Sequence, residues 1–207
     1  MIEAPAPGLT RRLDVWDVDP VHSSVRFDVR HALTRVRGRF GDVWGVLVVA
    51  GPPERSTGHV EIAAASIDTD REGRDALLRG EAFLHADRFP HLVFRSHAVR
   101  RVGRRWYRVD GELTIRDITR PVTAELRHLG WIRDLTGVPR ASLRVRAEVD
   151  RAAYSPSWNT LPQAVGGLLV GRTVHVDLEI QVVRRRGERV PGPRRLRGSL
   201  DPRRMRG

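Results

Sequence analysis

The chain has 207 residues, 40% apolar and 30% charged, an ordinary soluble balance that suits one domain large enough to close a core or a cavity. The net charge is +12, all 37 basic residues are Arg, and the lack of Cys excludes disulfides and thiolate metal sites. No stretch approaches the ~20 apolar residues of a membrane-spanning helix.

In chain order, Met1 to Arg12 holds two Pro and lacks the run of about 7 to 15 apolar residues that a signal peptide needs. Residues 1–13 therefore read as an N-terminal extension, and the expected location is cytoplasmic. Period two then takes over. Val25, Phe27, Val29 and His31 alternate with Ser24, Arg26, Asp28 and Arg30. Val36, Gly38 and Phe40 alternate with Arg35, Arg37 and Arg39. A weaker strand is predicted near 58–68. Residues 70–86 read as helical, with Glu72 and Asp75 in the first turn and Ala76, Leu77, Leu78, Ala82 and Phe83 as the apolar side. Another weak strand, near 91–102, carries Phe94.

Further on, Tyr107, Val109, Gly111, Leu113 and Ile115 alternate with polar neighbours, and a weaker strand covers 120–130. Ala141, Leu143, Val145, Ala147 and Val149 alternate with Ser142, Arg144, Arg146, Glu148 and Asp150. Residues 151–171, with Pro156, Pro162 and Gly166-Gly167, read as a long loop with one short helical turn. Val174, Val176, Leu178, Ile180 and Val182 form the last apolar row. From Arg184 to Gly207, ten Arg face Glu188 and Asp201, a net +8 that leaves +4 on the rest. Residues 14–184 are thus the folded domain, and 185–207 a disordered basic tail. A near-neutral body gives no reason to expect specific nucleic-acid binding.

Eight one-sided strands joined mostly by short turns can make a sandwich or a closed barrel. Strands of roughly 10 to 16 residues favour closure, which removes long exposed edges. The predicted fold is all-β: an eight-stranded antiparallel barrel with one short helix. Its inward phase mixes large groups with small ones such as Gly38, Gly111, Ala141 and Ala147. Small inward residues leave room for a ligand or only fit the barrel's taper, and the residues alone leave both open. His31 and His128 fall in the inward phase, where a hydrogen-bonded core role is commonest. Nucleophile elbows, phosphate loops and dinucleotide fingerprints are missing from the sequence, and the carboxylates of the long strands lie on the wet phase. No catalysis, metal or cofactor is expected.

Several motifs in order carry a family resemblance. Asp19-Pro20-Val21-His22-Ser23 with Val25, Phe27, Val29 and His31, then Val36-x-Gly38-x-Phe40, resembles the opening of YceI-like proteins. Ser66-Ile67-Asp68-Thr69, Arg74-Asp75-x-x-Leu78-Arg79, Phe83 and Phe89-Pro90-x-Leu92-x-Phe94-x-Ser96 continue it. Gly111-Glu112-Leu113-Thr114-Ile115-Arg116, Ile118-Thr119-x-Pro121-Val122, Asp150-Arg151 and the last strand complete it over about 14–184. Asp117 departs from the pattern, standing where the family usually has Gly, and the Arg-rich tail is not part of it. Many relatives are exported, whereas this chain shows no export signal.

The resemblance implies a lipocalin-like barrel with a long apolar tunnel for a polyisoprenoid, an isoprenoid quinone or a fatty chain, with no established catalysis. The expected ligand-binding set is Phe27, Val29, His31, Gly38, Phe40, Phe83, Phe94, Tyr107, Gly111, Leu113, Leu143, Val145, Ala147, Val174 and Val176. An anionic membrane surface, met through the tail, and a second copy in a homodimer are further candidate partners. The competing functions are a membrane- or polyanion-associated module that uses the tail, and an enzyme acting on an isoprenoid chain with His31 or His128 as base.

Overall fold

A computed structural model describes residues 13–31, 34–154 and 170–185. Its strands are β1 (Asp14–Val18), β2 (Ser24–His31), β3 (Thr34–Phe40), β4 (Val43–Val49), β5 (Thr57–Ala63), β6 (Ile67–Asp68), β7 (His91–Arg101), β8 (Trp106–Ile115), β9 (Ile118–Arg133), β10 (Pro139–Asp150) and β11 (Val170–Arg184). These segments build eight staves of one antiparallel barrel. β1 pairs with β4 while β2 pairs with β3, and β4 pairs with β5 while β3 pairs with β6. Each of the first three staves is therefore one strand broken once. The breaks fall at Asp19-Pro20, at Gly41-Asp42 and at a 3-10 turn over Ala64–Ser66. Pro20 has no N–H to give a ladder, which ends β1 there. The ring closes where β1 meets β11, with Trp16 opposite Arg184 and Val18 opposite Val182.

Two bulges change which side chains turn inward. On β7 the register runs from Ser96 opposite Gly111 to Ala98 opposite Asp110, so His97 is an extra residue. On β9 it runs from His128 opposite Leu143 to Gly130 opposite Ser142, so Leu129 is extra. A bulge shifts period-two alternation by one. Beyond the second bulge Trp131, rather than Gly130 or Ile132, takes the inward phase.

The helix is shorter than predicted. It covers Glu72–Arg79 (α1) and stops at Gly80, whose N–H closes onto the carbonyls of Ala76 and Leu77. Turns follow through Phe89, with His85 in the left-handed region at φ 50°. The later apolar residues of the predicted helix, Ala82 and Phe83, lie in these turns. Arg151–Ala153 forms a single 3-10 turn; the rest of the expected loop, and the basic tail beyond Arg185, lie outside the described residues.

A buried carboxylate anchors α1 to the barrel. Asp75 and Thr69 are each 3% exposed, and Asp75 Oδ1 accepts from Thr69 N at 3.0 Å and from the Thr69 hydroxyl. Arg74 Nε donates to Thr69 Oγ1 at 2.7 Å and Arg74 Nη2 to Thr69 O at 2.6 Å. This latch ties the residue after β6 to the first turn of α1. Asp75→Ala strands the buried Thr69 N–H and is expected to lower stability by about 2 kcal/mol, read from the denaturant midpoint. An unchanged midpoint would show that the latch is dispensable.

The β8–β9 turn consists of Arg116 and Asp117. Its left-handed residue is Arg116, at φ 59°, so the backbone strain sits one residue before the Gly-to-Asp departure. The Arg116 guanidinium packs back on the turns that follow α1, donating to Phe83 O at 3.3 Å and lying 5.6 Å from the Phe89 ring centre.

Candidate functional site: an apolar cavity inside the barrel

The inward rows of the staves enclose a cavity of about 1440 Å³. The wall is built by alternation: Val25, Phe27 and Val29 from β2, Tyr107, Val109, Leu113 and Ile115 from β8, and Ala141, Leu143, Val145, Ala147 and Val149 from β10. β11 supplies Val174, Val176, Leu178, Ile180 and Val182. Leu77 and Leu78 of α1, with Phe83 and Leu84 after it, line the end where the helix sits. Trp16, Leu47, His128 and Trp131 line the opposite end, where β1 and β8 begin and β9 ends.

Twelve of the residues expected from the sequence stand on this wall: Phe27, Val29, Phe40, Phe83, Phe94, Tyr107, Leu113, Leu143, Val145, Ala147, Val174 and Val176. Gly38 and Gly111 do not. A Cβ on Gly38 would stand 2.4 Å from Phe27 Cζ, and one on Gly111 would stand 2.6 Å from Phe94 Cζ. Each glycine is the seat of an aromatic ring, so the space it leaves is already filled by the protein. The side chain of His31 lies outside the described ones.

Sequence reasoning missed Trp16, Leu47 and Trp131. Trp131 escaped because the bulge at Leu129 breaks the alternation. Trp16 and Leu47 sit on the short segments β1 and β4, where Val15 beside Trp16 and the unbroken run Val46-Leu47-Val48-Val49 blur the apolar–polar alternation that marks the longer strands.

Polar groups on the wall gather toward the ends. Arg71 and Arg74 lie at α1, and Arg151 Nε donates to Gly171 O at 2.8 Å. At the other end the Trp131 ring packs 5.0 Å from Trp16 and 4.6 Å from His128, centre to centre. Trp16 Nε1 and His128 Nε2 are buried beneath it with no hydrogen-bond partner among the described residues. Burial, with the nearby Arg105 charge adding to it, holds the His128 imidazole below its ordinary pKa and favours the neutral form. Tyr154, 2% exposed, donates to Leu113 O at 3.2 Å, and burial pushes its phenol up to about 12. Among the described residues, no three His, Asp or Glu side chains are grouped so as to hold a metal ion. What such a wall does chemically is bury apolar surface.

Comparison with known proteins places this geometry in a family. A UPF0312 protein of Shewanella sp. (strain W3-18-1) is 32% identical over 129 residues, 61% of this chain and 68% of the relative. A UPF0312 protein of Yersinia pestis (strain Pestoides F) is 31% identical over 135 residues, 64% of this chain and 70% of the relative. Among solved structures, Burkholderia cenocepacia BcnA superposes with a TM-score of 0.69 at 18% identity, covering 79% of this chain and 98% of that one. A polyisoprenoid binding domain from Saccharophagus degradans, implicated in plant cell wall breakdown, superposes with a TM-score of 0.65 at 15% identity, covering 82% and 98%. These likenesses in structure share the barrel. The YceI-like domain matches residues 16–182, the span from Trp16 to Val182 that closes the barrel, and the chain belongs to the YceI-like family.

Proposed function

We propose that the protein binds one long apolar chain, a polyisoprenoid, an isoprenoid quinone or a fatty chain, inside the barrel and stores or transports it. The observation that carries this reading is the cavity of about 1440 Å³ walled mainly by Val, Leu, Ile and Phe. The Saccharophagus degradans domain of the same fold, described as polyisoprenoid binding, supports it. Burying ~300 Å² of chain at ~25 cal/mol per Å² gives about 7 kcal/mol before ordering costs, enough for stable loading without a directed polar contact. The Phe, Tyr and Leu side chains on the wall are the contacts of the chain in this reading. Gly38 and Gly111 contribute indirectly, by seating the Phe27 and Phe94 rings. A binding protein rather than an enzyme is the reading this wall supports, because it is built mainly of Val, Leu, Ile and Phe side chains, whose chemistry is the burial of apolar surface.

Organic extraction of the purified chain followed by mass spectrometry tests this. A long-chain prenyl or acyl compound in near-stoichiometric amount is the expected result. Extracts without such a compound, together with delipidated protein that takes up none when offered prenyl alcohols or fatty acids, would overturn it.

A further inference from the structure

We propose that the Trp131 end of the barrel docks on an anionic lipid bilayer and presents the cavity to it. The proposal rests on the cavity-binding reading above, for the purpose it gives the docking. Its first support is where exposed apolar groups gather. Of ten large apolar side chains exposed among the described residues, six surround this end: Val102 and Trp106 at the β7–β8 turn, and Leu129, Trp131, Ile132 and Leu135 at the end of β9 and in the turn after it. Leu135 is fully exposed and Trp131 is 59% exposed. Scattered exposed Leu or Val is ordinary on a protein surface, whereas a contiguous group marks an interaction site.

The turn that carries Leu135 is organised to hold it outward. The Asp134 carboxylate accepts from Thr136 N and Val138 N, each at 2.9 Å, and from Thr136 Oγ1 at 2.7 Å. Arg140 Nε reaches the second oxygen of the same carboxylate at 3.2 Å. The backbone closes with Asp134 N donating to Val138 O, and Gly137 adopts φ 76°. Leu135 lies between these anchors with its side chain in solvent.

The second support is charge. Arg101 Nε donates to Gly103 O, Arg105 Nη1 to Leu129 O and Arg133 Nη1 to Gly137 O, so guanidinium groups ring the apolar tips and are held by neutral carbonyls. Arg127 lies 5.3 Å from the Trp106 ring centre. Apolar and indole groups at the tips with Arg around them match the boundary between acyl chains and phosphate headgroups. Arg185, the last described residue, lies at this same end, since its N–H bonds Val15 O beside the start of β1. Residues 186–207 carry eight Arg against Glu188 and Asp201, which adds to the attraction for anionic lipid.

The third support is continuity, which favours a bilayer over a protein partner or a second copy. Trp131 belongs both to the exposed group and to the cavity wall, and Val49, exposed at the end of β4, also lines that wall. An apolar chain entering here would pass from bilayer to cavity along a path that stays apolar.

The test uses the full chain with sedimenting vesicles of phosphatidylcholine, with and without phosphatidylglycerol. Wild type is expected to sediment with the phosphatidylglycerol vesicles, less so at high salt, with a blue-shifted Trp emission. The pair Ile132→Glu and Leu135→Glu is expected to weaken this about tenfold or more while leaving the melting curve in place, because both side chains are already in solvent. Leu135→Glu alone serves if the pair disturbs the sheet. A chain lacking 187–207 is expected to bind more weakly but still lose binding on the same substitutions. The proposal is overturned if the substituted chain sediments like wild type, if wild type stays in solution, or if the substitutions instead split a dimer. Uptake of a prenyl alcohol without vesicles separates the two readings. Unchanged uptake by the substituted chain isolates docking, and uptake absent from wild type removes the cavity reading while patch-dependent sedimentation still stands.

Discussion

Gly111→Leu is expected to lower stability by roughly 3 kcal/mol, the upper end of the range for an overpacked interior. The cause is fixed geometry. Gly111 lies on β8 between Ser96 of β7 and Val122 of β9, and a Cβ there would stand 2.5 Å from Arg95 O and 2.6 Å from Phe94 Cζ. The carbonyl is part of the backbone of the paired strand and cannot swing away. The ring can leave only by giving up its seat, which forfeits the contacts that hold it. Denaturant unfolding of the delipidated variant beside wild type measures the loss. A change under 1 kcal/mol would show that the ring does not depend on this glycine.

Ala147→Phe is expected to act in the opposite way, losing ligand and keeping the fold. Ala147 is paired with Ala124 on β9 and Val176 on β11, and all three line the cavity. A phenyl group at this position enters the space proposed for the chain. Displacing about two or three buried CH₂ groups at ~0.8 kcal/mol each weakens binding by about 2 kcal/mol, close to thirtyfold. The unliganded barrel should hold or gain stability, because the added ring makes dispersion contacts where there were none. A melting curve on delipidated protein and a prenyl-alcohol titration check the two halves separately. Strong destabilisation with unchanged affinity would contradict the account.

The contrast between these two positions marks how far alternation can be read. Period two identified the inward phase of β8, β10 and β11, and closure followed from strand length. It treated Gly111 and Ala147 alike, as small inward residues, because composition along one strand does not show what the neighbouring strand projects over it. Phe94 covers Gly111 and Phe27 covers Gly38, whereas Ala147 faces the cavity. The alternation also fails at an extra residue. Leu129 reverses the phase of β9, and Trp131, the residue joining the cavity to the exposed end, becomes visible only in the register with β10. The predicted helix overran its true end because Ala82 and Phe83 continue an apolar pattern past Gly80, where the backbone in fact turns. The exposed end itself is assembled from two separate turns, Val102 to Trp106 and Leu129 to Leu135, and the pairing of β8 with β9 is what brings them together.

The central claim, that the barrel holds one long apolar chain, is tested most directly by titrating the delipidated protein with prenyl alcohols of increasing length. Each added CH₂-equivalent that enters the cavity contributes about 0.8 kcal/mol, so affinity should climb steeply with the number of isoprene units. It should then level off once the chain spans the cavity and further units remain in water, at a stoichiometry of one chain per protein. Affinity that stays flat across the series would contradict the account.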